Sequence, residues 1–401
     1  MEVTIMLLQR SQRVLETIPV GSLGLIPLKS CEELGKKVND YLVDWRHSND
    51  LEHKSNIAFT GYERDSYLIQ ANTPRFGSGE GKGAIKASVR GNDLYLMVDV
   101  CNYSLTYNLY DYTNHMSPDD HFQDLKRVIA AIGGKARRIT VIMPFLYESR
   151  QHKRSSRESL DCALALQELV AMGVENIITF EAHDPRVQNA IPLHGFETVT
   201  PAYQLVKGLL NSTPGLTIDS DHMQVISPDE GGMSRAVYLA NVLGLDMGMF
   251  YKRRDYTHVV NGRNPIVAHE FLGSDIQGKD MIIVDDMISS GESMIEVMRE
   301  LKKRGANRIF VFCTFALFTN GLAEFDKAHE EGLLTKLFST NLVYQTPELL
   351  SRPYYVNCDM SKYIALLIDT LNHDVSISDL LDPYDRIQAL LARYQKGELE
   401  R

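Results

Sequence analysis

Cysteine is sparse and unpatterned in this 401-residue chain: Cys31, Cys101, Cys162, Cys313 and Cys358 form no CxxC pair and no even framework. That excludes a disulfide scaffold and a cysteine metal knuckle, and leaves reduced thiols that behave as small buried hydrophobes. A long hydrophobic run is also missing. The longest, 309–318, is about half of what spans a bilayer, and no basic segment followed by an apolar one opens the chain. A cytoplasmic protein with no membrane partner is expected. Excess positive charge is missing too: Asp and Glu outnumber Lys and Arg by 52 to 42, for a net charge of −10. Broad attraction to a nucleic-acid backbone is therefore not expected, and no helix-turn-helix pattern argues otherwise. An anionic ligand must be held by local charge.

The usual glycine-rich nucleotide loops are absent as well. Gly77-Ser78-Gly79-Glu80-Gly81-Lys82-Gly83 contains Gly-Lys, but Gly83 stands where a Walker A loop needs Ser or Thr, and Phe76 where it needs its first Gly. No GxGxxG frame fits there. A P-loop ATPase and a Rossmann dehydrogenase both lose support.

What is present reads as ordinary globular protein, 44% apolar and 23% charged, long enough for two domains. From about Leu94 onward short β-rich runs alternate with helical patterns, which is how a mainly parallel sheet flanked by helices is written. The clearest strands are 94–100, 139–143, 177–181, 224–227, 247–251, 281–284 and 309–314. A helix, glycine, a few polar residues and then Ile recur around Gly134, Gly173 and Gly305, which suggests two similar α/β halves with glycine at the helix C-caps. The breaker cluster 211–215 places the boundary. The expected domains are 1–215 and 216–375, with a C-terminal tail over 376–401. The first 55 residues carry little pattern, 102–120 reads as a long loop, and 387–394 suits a terminal helix.

The most informative segment is 285–293. Four apolar residues of a buried strand, 281–284, run into Asp285-Asp286, then Met287-Ile288-Ser289-Ser290-Gly291-Glu292-Ser293, then a helix with Met294, Val297, Met298 and Leu301 on one face. Strand, tight turn and helix start aim backbone N–H groups and a helix dipole at one phosphate. Any single such turn is usually no more than a serine-capped helix start. Two adjacent carboxylates at a strand's C-terminal end change that, because they repel each other and pack nothing. Beside a phosphate they suit vicinal ribose hydroxyls or a magnesium ion.

This loop resembles the phosphoribosyl-pyrophosphate signature of type I phosphoribosyltransferases. Four further segments, in order over roughly residues 70 to 380, narrow the resemblance to the ribose-phosphate pyrophosphokinases. Phe76-Gly77-Ser78-Gly79-Glu80 is similar to that family's segment contacting the adenine of ATP from a neighbouring subunit. The stretch 144–151, ending in Arg150-Gln151, is similar to the one whose arginine reaches the ATP phosphates. Glu181-Ala182-His183 stands where a histidine helps hold magnesium-ATP, and 226–232, with Asp229, resembles the pyrophosphate loop. Lys252-Arg253-Arg254 matches the basic cluster that opens a catalytic loop. Taken singly, a Phe is usually core, a His structural and a basic cluster a solvated face; their joint order is what carries weight.

The resemblance implies two phosphoribosyltransferase-like domains and Mg²⁺-dependent transfer of the diphosphoryl group of ATP to ribose 5-phosphate. It implies Lys252 and Arg254 as catalytic, and Phe76, Ser78, Glu80, Arg150 and Gln151 on ATP. Asp285, Asp286, Ser289, Ser290, Gly291, Glu292 and Ser293 would hold ribose 5-phosphate, and His183 and Asp229 the metal. A homo-oligomer with the ATP site at a subunit interface follows from it. Departures from the pattern are Ser78, Glu181 and Ser289 for aspartate, His152 after Arg150-Gln151 where aspartate is expected, and Glu230 where histidine or a small residue is commoner. A base-specific phosphoribosyltransferase and a non-catalytic subunit are the rival expectations.

Overall fold

The computed structural model describes residues 17–48, 59, 61–254 and 266–398, and of 252–254 and 266–269 the backbone alone. The described residues fall into two compact units. One takes those of Met1–Pro201, Asn341–Tyr344 and Asp359–Pro383; the other takes those of Ala202–Thr340, Gln345–Cys358 and Tyr384–Arg401. Among the described residues no helix is long and apolar enough to cross a membrane.

In chain order the first unit contains β1 (Ser22–Pro27), α1 (Glu32–Ser48), the short pair β2 (Ala71–Asn72) and β3 (Ala84–Ile85), β4 (Asn92–Met97), β5 (Thr106–Leu109), β6 (Tyr112–His115), α2 (Pro118–Ile132), β7 (Arg138–Ile142), α3 (Asp161–Ala171), β8 (Asn176–Phe180) and β9 (Gly195–Val199). Its main sheet has the order β1-β4-β7-β8-β9, parallel throughout. Such strands are covered on both faces and read as near-continuous apolar runs, and all five residues of β7 are buried.

The second unit begins with α4 (Ala202–Ser212), followed by β10 (Met223–Ser227), α5 (Met233–Leu243), β11 (Asp246–Arg254), β12 (Ile266–Leu272), β13 (Asp280–Ile288), α6 (Glu292–Lys303), β14 (Ile309–Ala316), α7 (Ala323–Glu330), β15 (Lys336–Thr340) and β16 (Tyr355–Cys358). The chain then forms α8 (Ser361–Asn372), which returns to the first unit, and α9 (Tyr384–Gln395), which stays with the second. The seven-stranded sheet has the order β12-β11-β10-β13-β14-β15-β16. Only β12 runs antiparallel. Alternation along β13 serves both faces. Met281 and Ile283 pack with Met294, Met298 and Phe325 from α6 and α7, while Ile282 and Val284 pack with Leu205, Leu209, Leu239 and Leu390 from α4, α5 and α9.

All seven expected strands are present, and the terminal helix expected over 387–394 is α9. The units cut the chain differently from the expected 1–215, 216–375 and 376–401. Helix α4 joins the second unit because Leu205, Val206 and Leu209 bury into that core. Helix α8 joins the first through an ion pair, with Arg46 of α1 donating to Asp369 at 2.7 Å. It is also held through Asn372, which donates to the buried Asp93 at 2.9 Å. The stretch 102–120 is not a long loop. It contains the β5–β6 hairpin, turned at Tyr110 and Asp111 with φ of 46° and 67°, and the start of α2, where Ser117 and Asp120 cap each other. The hairpin escapes detection because its side chains are exposed or half-buried and its turn lacks the usual Asn-Gly signal.

Candidate functional site

Strands β10 and β13 are neighbours in the second unit, and both end at the same edge of its sheet. After β10, Ser227 Oγ donates to the carbonyl of Asp229 at 2.7 Å, and Asp229 Oδ1 accepts from the N–H groups of Gly231 and Gly232 at 2.9 and 3.2 Å. This tight turn leads into α5. Gly232 has no room for a side chain, since a Cβ there would stand 2.9 Å from Ser227 Oγ.

The strand β13 is longer than expected. Pairing with β14 continues through Met287 opposite Phe315 and Ile288 opposite Ala316, so Asp285 and Asp286 sit on the strand and the loop shrinks to Ser289, Ser290 and Gly291. Glu292 and Ser293 already belong to α6. The carbonyls of Ile288 and Ser289 accept from Leu317, Phe318 and Thr319, which pins the turn to the segment after β14. Gly291 is the N-cap with φ 84°, and a Cβ there would run into the Phe325 ring. The first turn of α6 has no side-chain cap, so its N-terminal dipole faces the turn in the manner of an anion cradle.

Asp286 is 3% exposed and continues the face of Ile282 and Val284, where Arg235 of α5 meets its Oδ2 at 3.3 Å. Asp285 Oδ1 accepts from the Asp286 N–H at 2.9 Å. Burial pushes the Asp285 carboxyl well above the usual range, and the charges of Asp286 and Asp229 add to the shift. Three acids converge there, and a cation or a set of hydroxyl donors would relieve their mutual repulsion. Arg235 was not singled out from the sequence. The only available signal was a basic residue one turn beyond the Gly231-Gly232 pair.

In the first unit, Arg150 and Gln151 follow β7, and His183 follows the neighbouring β8. Arg150 is exposed. Gln151 donates to the carbonyls of Lys153 and Ser159 at 3.3 and 2.9 Å, tying its own loop. His183 is half-buried, its ring centre 5.3 Å from that of His152. The loop after Arg75 is a tight turn in which Phe76 N–H donates to the Glu80 carbonyl at 2.7 Å, and Ser78 Oγ donates to Glu80 Oε2 at 2.9 Å. Phe76, of a type ordinarily found in cores, is 55% exposed at its tip.

Thus Asp229, Asp285, Asp286 and 289–293 gather at one edge of the second unit, and Arg150, Gln151 and His183 at one edge of the first. The two expected metal ligands belong to different units. Among the described residues no three His, Cys, Asp or Glu side chains gather as a metal cluster. Lys252 and Arg254 lie near the end of β11, paired with His269 and Ile266; their side chains, and the loop that follows, lie outside the described residues.

The model of the N-terminal domain of ribose phosphate pyrophosphokinase matches residues 23–173, and that of the phosphoribosyl transferase domain matches 201–342. The ribose-phosphate pyrophosphokinase of Vibrio parahaemolyticus is 27% identical over 79% of this chain and 92% of its own length. That of Pasteurella multocida is 28% identical over 78% and 90%. Among solved structures, the phosphoribosylpyrophosphate synthetase from Mycobacterium smegmatis superposes with a TM-score of 0.68 at 20% identity, over 88% of this chain and 99% of that one, which speaks for the fold. With both domains matched in order and relatives aligned along nearly their whole length, the chain belongs to the ribose-phosphate pyrophosphokinase family.

Proposed function

We propose that this protein transfers the β,γ-diphosphoryl group of ATP to the C1 hydroxyl of ribose 5-phosphate, giving phosphoribosyl pyrophosphate and AMP. The C1 oxygen bonds to the β-phosphorus as the bond from that phosphorus to the α,β-bridging oxygen breaks; the bridging oxygen leaves as part of AMP, and the hydroxyl proton goes to solvent. The observation that carries this reading is the acidic pair within β13 together with the uncapped start of α6 that follows the 289–291 turn. Asp285 and Asp286 accept hydrogen bonds from the ribose hydroxyls. Ser289, Ser290, Gly291, Glu292 and Ser293 cradle the 5-phosphate, largely through backbone N–H groups.

Phe76, Ser78 and Glu80 receive the adenine, and Arg150 and Gln151 the ATP phosphates. The outward-facing Phe76 supports an ATP site completed by a second copy of the chain in a homo-oligomer. Mg²⁺ carried in with ATP neutralises phosphate charge. His183 and Asp229 contribute to holding it, and the absence of a three-residue cluster among the described residues fits an ion held mostly by phosphate oxygens and water. Lys252 and Arg254 stabilise charge on the transferring group. Little covalent help is needed, so positioning and electrostatics supply most of the acceleration. A cytoplasmic location suits these substrates.

The test is incubation of the full chain with Mg-ATP and ribose 5-phosphate, following AMP and phosphoribosyl pyrophosphate together. Equal amounts of both are expected; neither product with both substrates binding would overturn the reading.

A further inference from the structure

The β5–β6 hairpin is exposed or half-buried along its length, yet it helps to wall a cavity. Segments 28–30, 73–77 and 105–108, with residues of α2, enclose about 440 Å³ in the first unit, a volume within the ~300–1,000 Å³ usual for small-molecule sites. The period of two along β5 turns Tyr107 and Leu109 the same way. Tyr107 meets the Arg75 guanidinium, which lies 5.3 Å from its ring centre, and Leu109 stands 2.8 Å from where a Cβ on Gly79 would go. The Tyr110 N–H donates to the Gly77 carbonyl at 3.4 Å. These contacts fasten the hairpin to the turn after Arg75 and hold the cavity between them.

The ionised groups on the wall do not balance. Lys29 and Arg75 stand there against Asp124 alone. Asp124 is answered twice over, since Arg75 donates to its two oxygens at 2.7 and 3.0 Å and Arg127 donates to Oδ1 at 2.7 Å. Lys29 enters no ion pair among the described residues. His121 donates from Nε2 to the Asn102 carbonyl at 2.8 Å and stays neutral, because burial lowers its pKa. The Arg75 side chain is 7% exposed, and its buried Nε finds no acceptor among the described residues. One cation and one donor are left over, which calls for an anionic acceptor. Leu28, Tyr107 and Met116 line the same space and offer an apolar surface to the rest of such a ligand.

We infer that this cavity binds a small aromatic carboxylate. Its single negative charge matches the one uncompensated cation, Lys29, where a phosphate ester with nearly two charges would overshoot. Its flat apolar body packs on Tyr107, Leu28 and Met116. Phe76 and Gly77 belong both to this wall and to the turn proposed to receive adenine, but the inference takes nothing from that role.

The experiment is calorimetric titration of the full chain with benzoate as the probe. One molecule per chain is expected. Lys29→Ala should weaken it at least about tenfold, on the scale of a lost charged hydrogen bond, and Lys29→Arg should keep most of the affinity. Lys36→Ala serves as the surface control, since Lys36 is an exposed lysine paired with Glu32, and should change nothing. Benzylamine, of the same shape and opposite charge, should not bind. No saturable benzoate binding overturns the inference, as does equal affinity in wild type and Lys29→Ala or an equal loss in Lys36→Ala. Inorganic phosphate binding as tightly as benzoate would mean that Lys29 holds a bare oxyanion, and displacement of benzoate by adenosine would make the cavity part of the nucleotide site; either result also overturns it. Product formation from Mg-ATP and ribose 5-phosphate is measured separately, so failure of the catalytic reading and failure of the carboxylate site are told apart.

Discussion

Each unit places an aspartate in the C-terminal part of a strand of its sheet or just beyond it, and the two differ in who answers the carboxylate. In the first unit Asp99 lies two residues beyond β4. Its Oδ1 accepts from the Cys101 N–H at 2.8 Å, and its Oδ2 from the Tyr344 N–H at 2.7 Å. In the second, Asp285 has Asp286 and Asp229 as charged neighbours. Burial raises both carboxyls, so a raised pKa alone does not mark a site. At Asp99 two backbone donors oppose the shift and the carboxyl serves the fold, whereas at Asp285 one backbone N–H opposes it and the neighbouring acids Asp286 and Asp229 reinforce it, with Arg235 standing against Asp286.

The sharpest way to break this comparison is Asp285→Asn. It removes charge where repulsion is greatest, so the thermal midpoint should hold or rise. The loss of a charged acceptor for the ribose hydroxyls should lower kcat/KM for ribose 5-phosphate by on the order of 10²-fold, the scale of a lost electrostatic contact in a transition state. Unchanged turnover in steady-state kinetics would reduce the acidic pair to a structural feature like Asp99.

The same contrast explains what could be read from the sequence. Continuous apolar runs such as 281–284 announce buried parallel strands, and adjacent aspartates at such a strand's end announce a ligand. β1 was not legible, because Ser22–Pro27 contains Gly24 and ends on proline, and pairing with β4 decides its fate. The return of α8 to the first unit was hidden for a similar reason, since its apolar face suits either core and the buried Arg46–Asp369 pair makes the choice. The missed Arg235 meets a partner distant in sequence, Asp286, and no local pattern encodes such a pair.

Glycines sharpen the comparison at the level of the backbone. Gly291 has φ 84° and the Phe325 ring where a Cβ would go, while Gly133, ending α2, has φ 61° and nothing nearer than the Ala130 carbonyl oxygen at 3.9 Å. Gly291→Ala therefore meets both left-handed strain and overpacking and should cost about 2–4 kcal/mol. Gly133→Ala meets strain alone and should cost about 1 kcal/mol. Urea denaturation of the two variants should show this order. Equal losses would mean that the turn before α6 yields easily, which a pre-formed phosphate cradle should not.

The last contrast concerns pH. Burial pushes the Asp99 carboxyl up to about 7, against the two backbone N–H groups that lower it, whereas an unfolded aspartate titrates near ~3.9. Between those values the folded chain keeps a proton that the unfolded chain has released, so this residue's contribution to stability declines as pH rises from about 4 to about 7 and is level above that. Asp99→Asn cannot titrate, and its amide oxygen can still accept one of the two N–H groups. Relative to wild type its midpoint should thus improve on going from pH 4.5 to pH 7.5. Parallel pH dependences would mean that Asp99 is ionised in the fold throughout. The two backbone donors would then outweigh burial, and the contrast with Asp285 would be one of charge state as well as of partners.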